Sequence, residues 1–353
     1  MKKLTLVMML LSLALSPAVK ADQAAALYSA VVAVADNSSA ERNKALRAGL
    51  LEVLVKLTGS ADIGSKPAVA QLLANASAYV VEFGYVNLPN QPSRQGLNVR
   101  YSQVDVDRFL RQKQLPVWPV KRPSLLVWVV KEPFGHPQSF VFEDDEAFYT
   151  SLDSLFDRRG LVASYPVYDL EDLSALSVND AWNLEADKIA AATVRYGASS
   201  WLLVRCYETS ARTWRLTWVM GAANNNQAEQ VYLDNLDAPA LDTALARVVD
   251  MAVDRIASGY VYTPSLAAGK LVLTVDGISS FNYYNELLKL LKELSMVKNL
   301  AVESVEGEKI RLQIELEGDE KQFFESLALF DQLEIPEELP PGGQSAAIQW
   351  LLR

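Results

Sequence analysis

The chain has 353 residues, 50% hydrophobic and 22% charged, with a formal net charge of −10. That composition excludes a disordered or collagen-like chain, and an acidic chain with no basic stripe excludes nucleic acid as a partner. One cysteine, Cys206, rules out an internal disulfide, and one histidine, His136, adds too little to it for a zinc or haem centre.

The first residues read as an export signal. Lys2-Lys3 starts positive, Leu4 to Ser16 is apolar, Pro17 breaks the run, and Val19-Lys20-Ala21 fits small-residue cleavage. Residues 1–21 are therefore expected to be a signal peptide cut after Ala21, with an apolar segment too short for a permanent anchor. No cysteine adjoins the cut, so no lipid anchor is expected. A disulfide-free exported chain fits the bacterial periplasm, with stability supplied by packed cores.

Residues 22–119 read as an N-terminal α+β domain. Ala24 to Val34 is expected to be extended. Ser38 with Glu41 forms a capping box for a helix carrying Leu46, Leu50, Leu54 and Leu57 and stopping at Gly59. A short helix over Pro67–Ala74, strands over Tyr79–Leu88 and Leu97–Ser102, and a helix over Asp105–Gln112 follow. The order strand, helix, helix, strand, strand is similar to the POTRA modules of outer-membrane assembly proteins. Residues 22–122 carry net +4, so Arg42, Lys44 and Arg47 on the first helix are candidate contacts to an anionic envelope surface. Leu115 to Pro123, punctuated by prolines, is the expected linker.

Residues 123–262 carry net −10 and read as a central α/β sandwich. Leu125–Val130 is a continuous apolar strand of the kind buried on both faces. A helix from the Glu143–Glu146 run to Gly160, a strand over Leu161–Tyr168 and a helix over Leu184–Tyr196 ended by Gly197 come next. Three antiparallel strands are expected at Ser200–Tyr207, Thr213–Met220 and Gln230–Leu233, then a long helix from Pro239 to Gly259. If this is an interaction sandwich, the Glu208–Arg212 loop and its flanking strands should offer backbone for a partner to extend. The stretch Ala191–Val204, with Tyr196-Gly197-Ala198-Ser199-Ser200-Trp201 at its centre, resembles a turn in the TolB N-terminal domain, CsgG and LpoB. That resemblance implies an α/β domain used for protein contacts and carries no active site with it.

Residues 264–353 carry the pattern βαββαβ of a ferredoxin-like domain. Its strands are Leu271–Val275, Leu300–Val305, Ile310–Leu316 and Ala346–Leu352, with helices around Tyr284–Leu294 and Phe323–Leu333. The expected fold class is thus α+β: three small α/β-sandwich domains after a signal peptide.

Several stretches together resemble one family. They are Arg42-x-Lys-Ala-Leu-Arg-x-Gly-Leu-x-x-Val-Leu-Val-Lys-Leu-Thr-Gly59, Trp118-Pro119, Arg122-Pro123-Ser-Leu-Leu-Val-Trp128 and Leu273-Thr-Val-Asp-Gly-Ile278. They are similar to the Gram-negative envelope family called domain of unknown function 2066. The resemblance implies export and a multidomain layout, and no functional residue transfers with it.

No catalytic, cofactor-binding or metal-binding residue is assigned, and no cofactor is expected. His136 sits in a Phe-Gly-His-Pro turn, and Cys206 shares a strand face with Leu202 and Val204. Ser295-Met-Val-Lys298 has the spacing of a Ser-x-x-Lys nucleophile but lies at a helix end. Glu143–Glu146 lacks the alternating spacing of a calcium loop and is explained by the helix it precedes. Pro340-Pro341-Gly342-Gly343 lacks the lysine of a phosphate loop. Trp201, Trp214 and Trp218 are more often core than a stacking platform, although Trp214 and Trp218 stay among the candidate contacts. The expected function is a non-catalytic periplasmic scaffold or assembly factor with envelope protein partners. Binding of an envelope polymer such as peptidoglycan is the second reading, and a hydrolase with an unrecognised site the third.

Overall fold

The computed structural model describes residues 24–88, 91–142, 145–222, 232–265, 269–336 and 345–351. The expected signal peptide and the Pro340–Gly343 turn lie outside them, as do residues 143–144 of the acidic run. Among the described residues no helix is long and apolar enough to cross a membrane. The fold is α+β, and the chain divides into two compact units, Met1–Pro116 and Val117–Arg353.

In the first unit, residues 24–27 make a helical turn rather than extended chain, and β1 (Ser29–Val34) follows. Helix α1 (Ser39–Thr58) begins at Ser38, whose hydroxyl accepts the Glu41 N–H at 3.2 Å, and ends at Gly59 with φ 68°. The capping box is only half made. Glu41 reaches back past Ser38 to the Ala35 N–H, and the Ser38 N–H goes to Asp36. Leu46, Leu50, Leu54 and Leu57 are all buried, and Gly49 lets the helix meet the Tyr101 hydroxyl, which donates to the Leu46 carbonyl at 2.6 Å. Helix α2 (Pro67–Ala74), β2 (Val80–Leu88), β3 (Gln91–Tyr101) and α3 (Gln103–Gln112) complete the unit. The sheet is antiparallel in the order β1-β3-β2.

The second unit holds two sheets. The first comprises β4 (Leu125–Glu132), β5 (Ser139–Phe140), β6 (Ala163–Ser164), β7 (Ser200–Glu208), β8 (Trp214–Ala222) and β9 (Tyr232–Ala238). Its order is β5-β4-β7-β8-β9, with β6 also on β4. All six residues Leu125–Val130 are buried because both faces are covered. Leu125, Val127 and Val129 join Leu202, Val204 and Cys206 under helices α4 (Glu146–Asp157) and α8 (Leu241–Ala257). Leu126, Trp128 and Val130 face the other way, toward Tyr168 and α7 (Ala186–Thr193). The expected strand over 161–168 shrinks to Ala163–Ser164, because Pro166 has no N–H to give and Tyr168 takes φ 53°. Two unexpected short helices, α5 (Leu170–Ala175), capped by Asp169, and α6 (Val178–Trp182), started by a Ser177–Asp180 capping box, precede α7.

The second sheet comprises β10 (Gly269–Asp276), β11 (Val297–Glu306), β12 (Lys309–Leu316), β13 (Leu333–Glu334) and β14 (Ser345–Trp350), in the order β11-β12-β10-β14-β13. Helices α9 (Phe281–Glu293) and α10 (Glu320–Leu327) pack on its apolar face. The βαββαβ order is present with one added strand. As a result β14 runs parallel to β10, whereas an unmodified ferredoxin-like sheet would close antiparallel. The Val117–Pro119 stretch, expected as linker, is built into this unit: Val117 and Tyr262 exchange backbone hydrogen bonds of 2.8 and 3.1 Å.

Candidate functional site

A cleft of the second unit lies between α4 and the chain after β6. Glu146, Tyr149, Thr150 and Asp153 fall at i, i+3, i+4 and i+7 on α4, so one helix face carries all four. With Tyr165, Pro166 and Val167 they line a cleft of about 530 Å³. The Tyr149 and Tyr165 rings lie 4.5 Å apart, and both hydroxyls are committed to the protein. Tyr165 donates to Asp153 at 2.7 Å and Tyr149 to the Val141 carbonyl. Burial, then the Asp153 carboxylate, pushes the Tyr165 phenol well above its ordinary value, so it stays neutral. The cleft therefore offers two acidic side chains and two phenol rings.

After Val167 the chain enters α5, whose inner face is fixed by ions. Asp172 is 0% exposed and accepts from the Tyr168 N–H, the Tyr196 hydroxyl and the Arg195 guanidinium, the last at 2.8 Å. Arg195 also holds Asp169, which caps the helix by accepting the Asp172 N–H. Hydrogen bonds from the Arg195 guanidinium, then from the Asp172 N–H, keep the Asp169 carboxyl well below the usual carboxylate range. The Tyr196 hydroxyl takes the Val167 N–H as well, tying the strip 167–172 to the turn at 195–196. On the outer face Leu170 is 82% and Leu173 38% exposed, and Val167 is exposed beside them. A six-residue helix with this much apolar surface outward is held by buried charge inward.

The residues singled out in the sequence are placed elsewhere. Arg42 lies over the Phe83 ring at 5.9 Å, Lys44 pairs with Glu41 at 3.6 Å, and Arg47 is exposed. Trp218 is 3% exposed inside the core and presents nothing to a partner, and Trp214 is half-buried against the same core. Trp201 is also core. His136 stands exposed in its turn. Ser295 accepts from the Tyr262 hydroxyl at 3.3 Å, and Cys206 is fully buried, its thiol pushed up to about 12 by burial. Among the described residues no three His, Cys, Asp or Glu converge as metal ligands. Asp145 caps α4 through the Phe148 N–H and pairs with Lys131.

The strands flanking Glu208–Arg212 do not offer free backbone. They are β7 and β8, both interior to their sheet, and the long outer strand is β9. On β9 the Asp234 carboxylate takes the Asn235 N–H at 2.7 Å, and on the edge strand β11 the Asn299 side chain takes the Leu300 N–H at 3.0 Å. Each edge thus meets part of its hydrogen-bonding need from its own strand.

Residues 21–119 match the family described as a domain of unknown function, DUF8605. This overturns the expected membership of the family called domain of unknown function 2066. The longest of the stretches that suggested it, Arg42 to Gly59, owes its pattern largely to α1's buried leucines and its glycine stop, and the apolar stretches 125–128 and 273–275 are buried strand. No curated protein matches the chain in sequence. Among solved structures, the LpoB C-terminal domain from Salmonella enterica is 17% identical, with 33% of this chain and 83% of that one covered at a TM-score of 0.24. Lipoprotein GNA1162 from Neisseria meningitidis is 15% identical, covering 38% and 99% at 0.23. A formyltetrahydrofolate deformylase from Pseudomonas putida KT2440 is 13% identical, covering 56% and 90% at 0.18. At these TM-scores the likeness establishes neither a shared fold nor a shared activity.

Proposed function

We propose that this chain is an exported, non-catalytic interaction factor of the bacterial envelope, working through contacts with other proteins. The observation that carries the reading is the contrast across α5: Asp172, fully buried and bonded to three groups, fixes a helix whose Leu170 is 82% exposed. A scattered surface leucine needs no explanation, whereas a rigid apolar strip backed by a buried ion cluster is what a preorganised contact surface requires. The chemistry of the cleft is in keeping with binding. The Tyr165 phenol is held neutral by burial, and His136, Cys206 and Ser295 stand apart from the cleft. The export signal at residues 1–21 belongs to the same proposal.

The test is isolation of the tagged full-length chain from chemically crosslinked envelopes, beside a Leu170→Asp variant of equal thermal midpoint. Under this reading one or more proteins co-isolate with the parent chain and are depleted with the variant. A chain recovered alone from both would count against it.

A further inference from the structure

The α4–α5 surface has a chemistry that narrows its partner. Asp145 is paired with Lys131, Asp250 with Arg158 and Arg159, and Asp254 with Arg159. Among the described residues neither Glu146 nor Asp153 has a basic partner, and both carboxylates line the cleft, with Asp153 held in place by Tyr165. Two carboxylates beside aromatic rings form a receptor for an ammonium or guanidinium group, which gains charge-assisted hydrogen bonds and ring contact together. The surrounding field has the same sign, since residues 123–262 hold 10 basic and 20 acidic side chains. Val167 lines the cleft and is itself exposed, and Leu170 follows it by three residues, so the exposed apolar side chains of α5 come directly after the cleft wall along the chain.

Resting on the interaction reading above, we propose that this surface docks a basic, apolar segment of a partner protein. A lysine or arginine of the segment enters between Glu146 and Asp153, and its apolar neighbours cover Leu170 and Leu173. An acidic segment would leave both carboxylates facing like charge, and an anionic lipid surface is disfavoured for the same reason.

The experiment places the photo-crosslinker benzoylphenylalanine at Leu170 in the full chain, in the cells that make it, with and without Glu146→Gln plus Asp153→Asn. The expected result is a protein adduct whose crosslinked peptide holds more Lys and Arg than Asp and Glu, with its yield cut about tenfold by the double substitution. The proposal is overturned by no protein adduct, by an acidic peptide, by a lipid or a second copy of this chain, or by an unchanged yield. The same crosslinker at Phe83, exposed on β2 of the first unit, separates the two readings. Adducts at Phe83 with none at Leu170 leave the interaction reading standing and remove this surface, and silence at both positions removes both.

Discussion

Val117 and Trp118 are neighbours in the chain and belong to different cores. Val117 packs beneath the β10–β14 sheet and exchanges backbone hydrogen bonds with Tyr262, while Trp118, 1% exposed, lies in the core between β4 and α8. Arg122 stacks on the Trp118 ring at 3.9 Å and donates to the Gly160 carbonyl, which fixes the joint from outside. Consecutive residues anchored in two cores couple those cores mechanically.

Trp118→Ala should therefore cost about 3–5 kcal/mol, the usual price of emptying a large buried aromatic site. It should also split the unfolding of residues 117–353 into two transitions. Hydrogen exchange in rising urea reads this directly, with amides of β4 and β10 opening together in the parent and separately in the variant. A loss under 1 kcal/mol with joint opening retained would contradict the coupling.

The ion cluster behind α5 gives a second expectation. Asp172→Asn keeps the shape but removes the charge that Arg195 and the Tyr196 hydroxyl meet. Because Arg195 is partly solvated and retains Asp169, the loss should be about 2–3 kcal/mol, below the full penalty of a broken buried pair. Amides of residues 168–176 should lose exchange protection first. Urea unfolding within 0.5 kcal/mol of the parent would show that the cluster is not what fixes the helix.

At high pH the buried thiol is the first of several buried groups to weaken the fold. Cys206 titrates near 9.0 when unfolded and at about 12 when folded, because burial disfavours the thiolate. The raised value means its contribution is intact below pH 9 and is lost as pH climbs toward 12, at about 1.4 kcal/mol per pH unit. Tyr101, Tyr165, Tyr168, Tyr196 and Tyr260, all raised above 10.0 by burial first, add to the loss above pH 10. Urea midpoints at pH 8 and pH 11 should fall less for Cys206→Ala than for the parent, and a thiol reagent should label the parent only after unfolding. Equal falls, or rapid labelling of the native protein, would contradict the burial argument.

Gly277 follows β10 with φ 87°, and a Cβ there would sit 2.8 Å from the Trp350 carbonyl oxygen. Gly277→Ala should cost about 2 kcal/mol or more, since both the backbone conformation and the close approach of β14 oppose a side chain. Thermal unfolding measures it, and a neutral result would mean that β14 can move aside.

Legibility in the sequence followed the range of the forces involved. The apolar run Leu125–Val130 and the α1 leucine stripe were readable because burial repeats along the chain at short intervals. The strand expected over 161–168 failed because Pro166 and the positive φ of Tyr168 end the pairing. Only Ala163–Ser164 pairs with β4, while Leu161 and Tyr168 are buried in two different cores. The parallel entry of β14 depends on β13 taking the outer position, a choice made by tertiary packing. Within the site, Glu146, Tyr149, Thr150 and Asp153 carry a helical period that could have been noticed. The tie from Asp169 and Asp172 to Arg195, more than 20 residues on, leaves no local signal.

The most direct test of the central claim is complementation of a strain lacking this chain by two kinds of variant at matched abundance. One kind removes reactive groups, with His136→Ala, Cys206→Ala and Ser295→Ala. The other alters contact surfaces, with Leu170→Asp, Phe83→Asp, and Arg42, Lys44 and Arg47 each changed to Glu. The account expects the first set to restore the parent phenotype fully and the surface set, Leu170→Asp above all, to fail while remaining folded. Full rescue by the surface variants, with loss of function in a stably folded His136→Ala or Ser295→Ala chain, would contradict it and point to an enzyme.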